Sequence, residues 1–114
     1  MTDPQAIELM AALGSPSRMR LLRLLHRKAL RCCDPARCDL SERCCTVSEL
    51  AEGLGISLAT TSHHLKELRR AGVITMQRRG RNMYCAINEK AMQALARVIA
   101  SFSTTLSLKE VSNA

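Results

Sequence analysis

Residues 46–74 read TVSELAEGLGISLATTSHHLKELRRAGVI, and this stretch decides the fold. Thr46-Val47-Ser48-Glu49 has the spacing of a capping box, in which a Thr hydroxyl and a Glu carboxylate each satisfy an unpaired amide of a first helical turn. The helix it opens runs from Val47 to Leu54 and stops at Gly55. Ile56-Ser57 is the connector, and Ser57 caps a second helix that reaches about Ala71 before Gly72 ends it. Leu58, Thr61, Leu65 and Leu68 recur at steps of 3, 4 and 3, the apolar stripe of that helix. Two helices joined by a short turn containing Gly outline a helix-turn-helix.

Downstream, Val73 to Met76 and Met83 to Ile87 are β-capable runs, separated by the polar turn Gln77-Arg78-Arg79-Gly80-Arg81-Asn82. They predict a β-hairpin with a basic tip. Asn88 caps a last helix from Glu89 to about Leu106, with Met92, Leu95, Ile99, Phe102 and Leu106 on one face. Upstream, Asp3-Pro4 starts a first helix that closes at Gly14, with Ile7, Met10, Ala11 and Leu13 near helical spacing. Ser15-Pro16 starts a second, in which Leu21, Leu22, Leu24 and Leu25 form the buried side and Arg20, Arg23, Arg27 and Lys28 largely the other. The expected fold is mainly α with a small β-hairpin, a winged helix-turn-helix. One domain spans 1–114, with a cysteine-rich insertion loop at 31–45.

The composition agrees. Hydrophobic residues are 46% and aromatics only 2%, so Leu, Ile, Val, Met and Ala must build the core, which suits helices. No run approaches the roughly 20 apolar residues that cross a bilayer, and no basic, apolar-cored leader opens the chain. A cytoplasmic protein with no membrane partner is expected. A core this small gains stability by pairing. No nucleophile, base and orienting acid stand together and no Gly-rich phosphate loop is present, so an enzyme is not expected.

Seventeen Lys+Arg against ten Asp+Glu give a net charge of +7. Eleven of the basic residues cluster: Arg18, Arg20, Arg23, Arg27 and Lys28; Lys66, Arg69 and Arg70; Arg78, Arg79 and Arg81. Such an excess fits a polyanion, nucleic acid first, although solvated charge alone would look the same. In a winged helix the second helix of the pair enters the major groove and the wing reaches flanking backbone. Thr60, Thr61, Ser62 and His63 are then the candidates for base edges and phosphates near the start of that helix. Lys66 and Arg70 fit phosphate, and Arg78, Arg79 and Arg81 are the wing candidates. His64 fits a structural histidine better than a reader.

The motifs together resemble the ArsR/SmtB family of metal-responsive repressors. The likeness lies in Ala12-Leu13-Gly14-Ser15-Pro16-Ser17-Arg18-Met19-Arg20-Leu21-Leu22, in Val47 to Ala51, in Thr61 to Ile74, and in Arg79-Gly80-Arg81-Asn82-Met83-Tyr84. It spans roughly residues 5–105 apart from the cysteine loop. The resemblance implies a homodimer through the first and last helices, bound to double-stranded operator DNA and released by an inducer. Leu58 stands where many members carry Gln, so a base contact from that position is not carried over.

Five of the six cysteines, Cys32, Cys33, Cys38, Cys44 and Cys45, lie in the stretch RCCDPARCDLSERCC. In a reducing compartment these are thiols. Thiolates are soft donors, so the cluster suits trivalent arsenic or antimony, or mercury, cadmium, lead or copper(I), over hard ions. Arg31, Arg37 and Arg43 each precede a cysteine group, and nearby cations favour the thiolate. Three readings stand: a soft metal or metalloid inducer site on three of the five, a thiol redox or persulfide switch, and a structural zinc, the last without the double-CxxC pattern. A polar, basic loop argues against buried inert thiols. Cys85, in a strand beside Tyr84, reads as packing. The family's arsenic sensors keep their cysteines within the helix before the reader, where this chain has Val47-Ser48-Glu49. The family's zinc site on the last helix uses Asp, His and Glu, absent from Ala91 to Leu106. The expected action is a clasp: binding draws the end of the second helix toward the start of the helix-turn-helix and misaligns the two readers of a dimer.

Overall fold

A computed structural model describes residues 1–31 and 44–103, with only the backbone of 28–31 and 44. Its elements are α1 (Asp3–Leu13), α2 (Pro16–Arg31), β1 (Cys44–Thr46), α3 (Val47–Leu54), α4 (Leu58–Ala71), β2 (Ile74–Arg79), β3 (Asn82–Ile87) and α5 (Glu89–Ala100). Cys32, Cys33, Cys38 and Leu106 lie outside the described residues.

The helix starts form as their sequences dictate. Thr46 Oγ1 accepts from the Glu49 amide at 3.2 Å, and Glu49 Oε1 accepts from the Thr46 amide at 3.4 Å and the Thr46 hydroxyl at 2.9 Å. Ser57 Oγ accepts from the Thr60 amide at 3.1 Å. Ser15 Oγ takes the Arg18 amide at 3.4 Å. A box not anticipated opens α1, where Thr2 and Gln5 cap each other. Gly55 ends α3 at φ 67°, a left-handed conformation that strains any residue with a Cβ, and the turn into α4 needs it. Asn88 ties two elements: its Oδ1 caps α5 and its Nδ2 donates to the Gly72 carbonyl at 3.1 Å.

The core gathers Leu21, Leu22 and Leu25 of α2, Leu50 of α3, Leu65 and Leu68 of α4, Val73, Ile74 and Leu95. Where α2 crosses α3, a Cβ on Gly53 would lie 2.7 Å from Leu24 Cδ2, so a side chain there would require Leu24 to move.

The structure corrects several sequence readings, among them the last helix, which ends at Ala100 and not at about Leu106. The hairpin is part of a three-stranded antiparallel sheet of order β1-β3-β2, because Cys44–Thr46 pairs with Tyr84–Ala86. The stretch read as loop therefore gives up residue 31 to helix and 44–45 to strand. The wing strands run longer than expected, leaving Gly80-Arg81 as the turn, with Gly80 at φ 61°. Helix α1 buries Ala6, Leu9 and Ala12, not Ile7 and Met10, and packs on α4. Leu58, placed in the apolar stripe, is 55% exposed, since the first turn of α4 projects past the core.

Candidate nucleic-acid interface and thiol site

Helix α4 divides by its 3.6-residue period. Thr61, Leu65 and Leu68 turn inward, and Thr60, His63, Lys66, Arg69 and Arg70 turn to solvent, with Ser62 half-buried. Thr61 is withdrawn from the readers. It is fully buried and its Oγ1 donates to the Ser57 carbonyl at 2.9 Å, so it has no surface to offer a ligand. Thr60 Oγ1 accepts from Ser57 Oγ at 2.8 Å, which leaves the Thr60 proton free to point outward. Arg70 lies 3.5 Å from Glu67 but its side chain stays 79% exposed, so the pair is too weak to withhold it.

On the wing the three arginines differ. Arg78 and Arg81 are exposed. Arg79 is half-buried, with its guanidinium 5.8 Å from the Tyr84 ring centroid and Nη2 donating to Gln77 Oε1 at 3.3 Å. Successive strand residues face opposite ways, so Arg78 and Arg79 cannot serve one ligand together. Arg79 stiffens the ribbon, and Arg78 and Arg81 are its outward cations.

His64 faces the interior side of α4. Its Nδ1 and the Arg18 Nε are both buried with no hydrogen-bond partner among the described residues. Burial, then the Arg18 charge, then His63 hold the His64 pKa below its ordinary 6.5. The folded protein therefore binds a proton at His64 less readily than the unfolded chain. Stability is expected to fall as the pH drops below 6.5 through the folded-state pKa, and to be free of this loss above it. In His64→Gln, melting temperatures between pH 7.5 and 5.5 should depend less on pH than in the parent.

Of the five clustered cysteines, only Cys45 has a described side chain, and it is not exposed. Cys45 is 1% exposed and belongs to the core, because strand alternation turns it inward just before the cap. Its Sγ donates to Glu49 Oε2 at 3.6 Å, so the first helix of the helix-turn-helix begins with a thiol on its capping carboxylate. Cys85 is fully buried, as the packing reading expected, and stands opposite Cys45 in the β1–β3 register. Cys44 faces Ala86 in the same ladder. Sequence reading missed the Cys45–Cys85 juxtaposition: a three-residue strand carries no periodic signal, and its partner lies 40 residues away. Among the described residues no three or more His, Cys, Asp or Glu gather as a metal ion would need.

An α3–α4 pair with a β2–β3 wing defines a winged helix-turn-helix protein. Residues 13–77 match the family described as helix-turn-helix domain. A transcriptional repressor SmtB homolog of Synechocystis is 31% identical over 96 residues, 84% of this chain and 61% of that protein. The chain thus spans about three fifths of the length of that curated relative. The crystal structure of an ArsR family transcriptional regulator superposes with a TM-score of 0.66 at 26% identity, with 89% of each chain covered. That of a possible transcriptional regulator for arsenical resistance gives 0.63 at 25%, covering 94% of this chain and 95% of the other. The chain belongs to the ArsR/SmtB family of transcriptional regulators.

No helix among the described residues is long and apolar enough to cross a membrane.

Proposed function

We propose that this chain is a cytoplasmic repressor that binds double-stranded operator DNA as a homodimer and is released by a soft thiophilic inducer. Trivalent arsenic or antimony comes before mercury, cadmium or lead. One surface carries the reading: Thr60, His63, Lys66 and Arg70 stand exposed on α4, and the neighbouring wing adds the exposed Arg78 and Arg81. A helix of this kind fits a major groove, with Thr60, Ser62 and His63 toward base edges and the cations toward phosphate.

Pairing has its own support. Ile7 and Met10 of α1 are 62% and 41% exposed, and Ile99 and Phe102 at the end of α5 are 48% and 79% exposed. Helices α1 and α5 touch in the protomer, and a second copy would cover this apolar area. Two readers then meet half-sites about one helical turn apart.

The inducer reading assigns three of Cys32, Cys33, Cys38, Cys44 and Cys45 as ligands. Cys32 follows the last residue of α2, and Cys45 precedes the cap of α3. A tie between them bears on where the reader sits. Arsenic comes first because a similar structure belongs to a possible regulator for arsenical resistance. Coupling of about 1–3 kcal/mol would weaken DNA binding by about 5–150-fold, and DNA would weaken inducer binding equally.

The test uses duplex from upstream of the protein's own gene. Arsenite, antimonite, mercuric, cadmium and lead ions are titrated against the complex, with five single Cys→Ser variants beside the parent. Release by arsenite or antimonite that fails in at least two variants supports the reading. A complex indifferent to every ion, or five variants that all respond as the parent does, overturns it. Release by polysulfide or peroxide with reversible loss of two hydrogen atoms per chain, the oxidant taking their electrons as a disulfide forms, would instead establish the redox alternative.

A further inference from the structure

Three sulfur side chains lie in one line across the sheet. Cys45 of β1 stands opposite Cys85 of β3, and Cys85 stands opposite Met76 of β2. Residues directly opposite on neighbouring strands point to the same face, with Cβ atoms about 4.5–5.5 Å apart. That face is the core: Cys45 and Cys85 are buried, and Met76 packs half-buried against them and their neighbours. Thiolate and thioether together are a soft donor set that favours cuprous ion over hard cations. The set also differs from that of the clustered cysteines, since it includes a thioether and a strand cysteine read at first as packing.

We propose that Cys45, Cys85 and Met76 form a cuprous-ion site inside the sheet, with two thiolates as principal ligands and the Met76 sulfur as the third. Both thiol protons leave to solvent as the thiolates form: two Cu–S bonds form, two S–H bonds break, and no electron changes hands. The site gains one cation and releases two protons. The Cys45 thiol donates to Glu49 Oε2, the capping carboxylate of α3, so binding removes that donor from the carboxylate that holds Thr46. Occupancy thereby reaches the helix-turn-helix through its cap. Entry is by way of β1, a three-residue strand at the sheet edge, where local opening is least costly. The site does not depend on the inducer reading given above.

The test is anaerobic titration with cuprous ion against a bathocuproine competitor, using a full chain in which Cys32, Cys33, Cys38 and Cys44 are serine. It should take one equivalent, show thiolate-to-copper absorption, and release two protons near neutral pH. Cys85→Ser in that background should weaken binding more than about 100-fold, beyond the 10–100-fold typical of losing an outer-shell partner. Met76→Leu should weaken binding by less. Should the fourfold variant not fold, the parent chain is titrated beside Cys85→Ala and must take up one more equivalent. No uptake by the folded fourfold variant, affinity unmoved by Cys85→Ser, or equal uptake by the parent and Cys85→Ala overturns the proposal. Because the readout is stoichiometry and protons, a failure of DNA release leaves it untouched.

Discussion

Replacing Lys66, Arg78 and Arg81 together with alanine is expected to lower operator affinity about 1,000-fold at moderate salt and to flatten its salt dependence. Each phosphate contact releases a condensed counterion, and log K falls with log salt by about 0.9 per contact. Three side chains on each of two protomers make six contacts, so the slope should drop by about 5. The measurement is affinity for one duplex from 50 to 300 mM salt. All three side chains are exposed, so the melting temperature should stay within a degree or two. Arg79→Ala separates surface from scaffold. That arginine stacks on Tyr84, and its loss should soften the wing and cost less slope than Arg78→Ala. An unchanged slope in the triple variant would mean that this face does not meet the duplex.

Leu65→Ala is expected to destabilise the fold by about 2–5 kcal/mol, the largest effect of any single change considered. Leu65 is fully buried at the middle of α4, among the leucines of α2 and α3, so truncation leaves a cavity that rigid helices close only in part. Urea unfolding at fixed protomer concentration measures it, since pairing makes stability concentration-dependent. The paired control is Leu58→Ala. Both leucines belong to one periodic stripe in the sequence, yet Leu58 is 55% exposed and its truncation should change stability by less than about 0.5 kcal/mol. Equal effects would place Leu58 under cover, either in a dimer or against the residues outside the described ones.

The contrast between these leucines shows how far periodicity reaches. It finds which residues share a face of α4, but not where along the helix the neighbouring elements end. Thr61 is the same case in reverse. A hydroxyl in the first turns of a reader suggests contact with nucleic acid, and the fold spends it on the Ser57 carbonyl. In α1 Ile7 and Met10 lie on the outer face while Ala6, Leu9 and Ala12 are buried, and which apolar face a helix turns toward its neighbour is not visible in hydropathy.

The wing arginines were legible as a group because charge and turn residues are local signals. Their separate roles were not, because Arg79 depends on a tyrosine across the hairpin. Cys45 and Cys85 show the same limit for the thiol site. Crowding of five cysteines is plain in the sequence, and it draws attention to the stretch 31–45. The sixth cysteine enters only through strand pairing.

From sequence alone come the helix starts, the stops at Gly14, Gly55 and Gly72, the order of the helices and of the wing, the run of basic residues and the abundance of thiols. Each rests on interactions within a few residues: a cap, a turn glycine, a periodic stripe, a run of charge. Tertiary structure alone decided that β1 joins the wing, that Thr61 and Cys45 turn inward, and that Cys45, Cys85 and Met76 share one rung. Those outcomes depend on contacts between residues far apart in the chain, which form when apolar faces close on one another and leave no trace in local spacing.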